Sequence, residues 1–60
     1  MAHYLLRING EYQIIFAESA KRAADDPEVA DASVEVWTLR SGEPRVYQVT
    51  TESVRTVKLV

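Results

Sequence analysis

His3 is the only histidine in the chain, and there is no cysteine. Metal centres and nucleophile-base pairs draw on His, Cys and carboxylate groups held close together. One histidine beside an amino terminus supplies neither a second ligand nor a thiolate, and it reads as an exposed strand residue. Asp25, Asp26, Glu28 and Asp31 form the densest acidic run. Their spacing lacks the glycine and alternating ligands of a calcium loop, so they read as a solvated helix cap. Glu18 and Glu35 fall in different elements, with nothing to bring them together for acid/base work. Gly10 and Gly42 stand alone as turn glycines and make no phosphate cradle. The expectation is a protein that is not an enzyme, with no catalytic residue, no metal, no cofactor and no small-molecule substrate.

The residue with the greatest capacity for recognition is Trp37, the only tryptophan. It sits in the first of two apolar stretches, residues 34–40 and 45–50, joined across Ser41-Gly42-Glu43-Pro44, which read as a strand pair. A tight loop sets Val34 opposite Val49 and Val36 opposite Tyr47; a four-residue loop shifts the partners by two. Either way the faces are the same, because side chains alternate along a strand. One carries Val34, Val36, Tyr47 and Val49, the other Glu35, Trp37, Leu39, Val46 and Gln48. Both faces are apolar, and 60 residues hardly suffice to cover both.

An earlier pair of strands flanks Asn9-Gly10. Tyr4, Leu6 and Ile8 alternate before it, and Tyr12, Ile14 and Phe16 after it. A two-residue turn splits these sets between faces. A three-residue loop, Ile8-Asn9-Gly10 with a bulged Gly10, sets Leu6 against Tyr12 and Tyr4 against Ile14 and unites them. Burial of one face favours the bulged loop, which leaves Leu5 and Ile15 on the reverse side with His3, Arg7 and Gln13.

Residues 17–25 read as a helix with Glu18 in its first turn and Ala17, Ala20, Ala23 and Ala24 as a small-residue face. Asp26-Pro27 is suited to start a short second helix over 27–32, with Asp26 as N-cap and Val29 inward; one helix kinked at Pro27 is the alternative. Residues 54–60 alternate as a final strand, with either Val57 and Leu59 or the set Val54, Thr56, Lys58 and Val60 toward the core, and little but Arg55 and Lys58 to deter pairing with another chain.

The expected fold is one α+β domain over residues 1–60. An antiparallel sheet in the order β-β-α-β-β-β carries one helix, straight or kinked, on one face. The other face displays Leu5, Ile15, Trp37, Leu39 and Val46, rimmed by Glu35, Gln48 and Arg40. Contiguous apolar residues around a tryptophan mark an interface; the alternative is a sheet curled far enough for Trp37 to close a small second core. The expected function is protein binding: a small accessory or inhibitor protein of bacterial or phage type, or a homodimer. A single-stranded nucleic-acid-binding sheet is the alternative, with Trp37 stacking and Arg40 beside Arg45 or Lys58. The formal charge of -2 and the absence of a second strand-borne aromatic on the Trp37 face count against it. No basic amphipathic element, spanning run or signal sequence is apparent, so no membrane partner and a cytoplasmic location are expected.

Overall fold

A computed structural model describes residues 1–27, 31–40 and 42–60. The elements are β1 (Ala2–Ile8), β2 (Glu11–Ala17), α1 (Ala20–Asp25), β3 (Ala32–Thr38), β4 (Arg45–Thr50) and β5 (Thr56–Leu59). All five strands join one antiparallel sheet in the spatial order β2-β1-β3-β4-β5. Sheet predominates over the single six-residue helix, so α+β describes the fold only loosely.

The chain from β2 to β3 passes through α1 over β1, because β2 and β3 both pair with β1. The two later connections join neighbouring antiparallel strands and cross no face. One side of the sheet is therefore covered by α1, and no described element lies over the other. On the covered side Leu6, Ile8, Val34, Val36, Tyr47 and Val49 are buried with Ala17, Ala23 and Ala24. Tyr4, Ile15, Ala20 and Val57 pack against them. The small side chains Ala23 and Ala24, fully buried, let the helix lie close on the β-branched surface.

The first hairpin differs from the bulged expectation. Ile8 pairs with Glu11, Leu6 with Gln13 and Tyr4 with Ile15, so only Asn9 and Gly10 form the turn. Both have positive φ, 51° and 82°, the combination a type I′ turn requires. This register puts Ile15 on the helix side, correcting its expected place on the open face, and sends Tyr12, Ile14 and Phe16 outward. Their exposures are 59%, 64% and 55%. The two-residue turn fixes that face, and on the covered side β2 contributes Ile15, packed against the core, and Ala17, buried at the end of the strand where the chain turns toward the helix.

The helix begins at Ala20, not at 17. Ser19 is the N-cap: its Oγ accepts from the Arg22 N–H at 3.2 Å. Glu18 precedes the cap and pairs with Arg22 at 3.1 Å. Asp26, expected to start a second helix, is instead the C-cap of α1, with its N–H donating to the carbonyls of Arg22 and Ala23. Ala32 opens β3, so no helix runs to it; the expected helical residues Glu28, Val29 and Ala30 lie outside the described residues. In the second hairpin Val34 faces Tyr47 and Glu35 faces Val46, the register of the longer loop, with the expected core face intact. β5 is shorter than expected. Val54 and Arg55 precede it, and Leu59, opposite Tyr47, remains largely exposed.

Candidate functional site

Three rows of side chains cross the uncovered face. Ile14, Leu5 and Trp37 form the middle row, since Leu5 pairs with Ile14 on one side and Trp37 on the other. Tyr12, Arg7, Glu35 and Val46 form a second row by the same logic. His3 and Phe16 form the third, their ring centroids 4.7 Å apart. The rings of Tyr12 and Trp37 approach diagonally over β1 to 6.1 Å between centroids, tilted by 37°, within the range of favourable aromatic pairs. The result is an apolar surface running from the β2 edge to β4.

Its charges are neutralised within it. Arg7 forms an ion pair with Glu35, its cross-strand partner. A hydrogen bond to Tyr12 and then the charge of Glu35 hold the Arg7 pKa above the usual arginine value, so the guanidinium stays charged. Its role is to tie together the strands beneath the aromatics. Farther along, the Ser33 hydroxyl donates to Gln48 Oε1 at 2.8 Å, and this pair forms a polar border.

Of the residues expected at the site, Trp37, Leu5, Val46, Glu35 and Gln48 share the open face. Leu39 and Arg40 follow β3 in a turn at the end of the sheet. They line a shallow cleft of about 450 Å³ with Ala2, His3, Tyr4 and Thr38. Ile15 is on the opposite side, where it packs against the core. Tyr12, Ile14 and Phe16 are the additions. The signal for them was the Asn9-Gly10 pair, whose two-residue turn fixes their face.

The acidic run has structural partners. Asp25 Oδ1 accepts from Arg55 Nε at 2.7 Å, and Asp31 Oδ1 accepts from the Thr51 N–H at 3.4 Å. Among the described residues, no three His, Cys, Asp or Glu side chains gather where they could hold a metal ion. No helix among them is long and apolar enough to cross a membrane. The chain matches no protein-family model, no curated protein and no solved structure.

Proposed function

We propose that the chain is a non-enzymatic protein-binding module whose contact surface is the open face of the sheet. The observation that supports this reading is the exposure of Tyr12, Ile14 and Phe16 beside Leu5 and Trp37 on one uncovered side. Fully burying one such side chain is worth about 1.5–3 kcal/mol, and the aromatic cluster has the composition of an interface centre. Trp37 is the anchor, Leu5, Ile14 and Val46 its apolar surroundings, and Glu35 and Gln48 the polar rim. The partner is another protein or a second copy of the chain, as in a small accessory or inhibitor protein.

The test compares immobilised wild type with Trp37→Ser and Phe16→Ser, each first shown by circular dichroism to be folded under the binding conditions. A partner retained by wild type and lost by both variants, which then shifts tryptophan emission to the blue when titrated as a purified protein, supports the proposal. Equal retention by all three proteins overturns it.

A second reading, binding of a single nucleic-acid strand, draws support from Tyr12 and Phe16. They supply the additional aromatics that the sequence placed on the other face, and stacking on such platforms is sequence-tolerant. The pairing of Arg7 with Glu35 weakens it by removing a central cation. Binding to an oligonucleotide that weakens steeply with salt supports this reading; no binding at low salt removes it.

A further inference from the structure

We propose that two copies of this chain join through their β2 strands, edge to edge about a two-fold axis, into one ten-stranded sheet. The inference goes beyond the proposed function, because it concerns the backbone edge of β2 and commits that edge to a second copy.

In a two-residue turn the flanking residues, here Ile8 and Glu11, form a hydrogen-bonded pair. Antiparallel ladders alternate such pairs with non-bonded ones. Glu11, Gln13, Ile15 and Ala17 therefore direct their backbone groups toward β1. Tyr12, Ile14 and Phe16 direct theirs to the free edge. The same alternation is fixed at the other side of the sheet by the bond from the Val60 N–H to the Val46 carbonyl, 2.8 Å. The exposed large apolar residues of β2, Tyr12, Ile14 and Phe16, are thus also the three whose backbone groups face the free edge.

Natural edges are usually blunted by lysine, proline, a bulge or shortness. β2 has none of these: it runs seven residues, Glu-Tyr-Gln-Ile-Ile-Phe-Ala, and pairs with β1 without a bulge. The opposite edge, β5, is four residues long and includes Lys58. The undefended edge is β2.

Symmetry then selects the occupant and the register. Antiparallel strands in one sheet are related by a two-fold perpendicular to it, which keeps each copy's open face on the same side. Residues directly opposite must share a face, so the axis passes through a residue. Only outward-bonding residues can form the new bonded pairs. Centring on Ile14 uses all three: Ile14 meets Ile14 of the second copy, and Tyr12 meets Phe16 on both sides. The only charged side chain of β2, Glu11, then meets Ala17, so no like charges are opposed. Centring on Gln13 sets Phe16 against Gly10, and centring on Ile15 leaves Tyr12 beyond the strand. The strand is complementary to itself in one register. The pairing leaves both open faces on one side of the joined sheet and both helices on the other, so it doubles the proposed contact face without covering it.

The test is sedimentation equilibrium of wild type, Ile14→Lys, Ile14→Glu and an equal mixture of the two variants. Ile14 is largely exposed, so both variants are expected to keep the monomer fold, checked by circular dichroism. The expected results are a wild-type dimer, a dissociation constant raised at least about tenfold in each variant alone, and recovery of the dimer in the mixture, where Lys meets Glu at the axis. A wild type that stays monomeric, or a dimer indifferent to either variant, overturns the inference. Trp37→Ser separates it from the face reading: the edge dimer keeps its affinity in that variant. A dimer lost with Trp37→Ser and kept with Ile14→Lys overturns the edge pairing while supporting a self-interface on the open face. Amide exchange adds a readout without substitution. The N–H groups of Tyr12, Ile14 and Phe16 gain protection as concentration rises; free exchange of all three in a dimer overturns the pairing.

Discussion

Ile14 and Ile15 are adjacent in β2 and lie on opposite sides of the sheet. Ile15 stands opposite Tyr4 and packs against the core, whereas Ile14 stands opposite Leu5 with its side chain outward. Two residues of one type at consecutive places thus report directly on the register of the first hairpin. Ile15→Ala is expected to lower unfolding free energy by about 1–3 kcal/mol, and Ile14→Ala by less than about 0.5 kcal/mol in the monomer. Urea unfolding at low protein concentration checks both. A reversed ranking would mean that the strand is turned over.

The same contrast exists in β3. Val36 is buried, while Trp37 is half-buried on the open face beside Leu5 and Tyr12. Val36→Ala removes packed volume and is expected to cost about 1–3 kcal/mol. Trp37→Ser loses cross-strand contacts and the partial burial of the indole but opens no core cavity, at about 1–2 kcal/mol. Denaturant midpoints with unchanged slopes measure the difference.

The turn that fixes the register rests on Gly10, at φ 82°. A Cβ there meets no atom within 4 Å, so any penalty comes from the backbone and not from crowding. Gly10→Ala is expected to cost about 1–2 kcal/mol. Asn9→Gly, which keeps a residue tolerant of positive φ, is expected to change stability by under about 0.5 kcal/mol. Thermal unfolding of the two variants side by side tests whether the left-handed conformation carries the cost.

What the sequence made legible follows from which forces act locally. The faces of β3 and β4 could be read because Val34, Val36, Tyr47 and Val49 alternate regardless of loop length. Trp37 and Val46 followed from that parity, and Leu5 from the alternation of Tyr4, Leu6 and Ile8 in β1. The first hairpin could not be read this way, because both of its registers bury an apolar set: one takes Tyr12, Ile14 and Phe16, the other Ile15 and Ala17. Burial of the larger apolar set favours the bulged loop, whereas the positive φ that Asn9 and Gly10 both adopt favours the two-residue turn, and the turn decides. Ala17 has high helix propensity yet ends a strand, and Ser19 is the residue that satisfies the first N–H groups of the helix. The pairing of β1 with β3 was equally invisible, since it joins segments separated by the helix.

Arg55 joins the segment after β4 to the end of α1. Its guanidinium reaches Asp25 Oδ1 at 2.7 Å, the Asp25 carbonyl at 3.1 Å and the Pro27 carbonyl at 2.9 Å. Two of these acceptors are backbone, so the carboxylate and the carbonyls can be separated by substitution. Asp25→Asn keeps the carbonyl bonds and removes the ion pair, which is half-exposed; its expected cost is under about 1 kcal/mol and shrinks further in high salt. Arg55→Ala loses all three bonds together with the packing of its stem, and its expected cost is larger, about 1–2 kcal/mol, with a component that salt does not remove. Unfolding of both variants in low and high salt measures each part. Equal losses that vanish together in salt would mean that the contact is purely ionic and that the carbonyl bonds do not hold the loop to the helix.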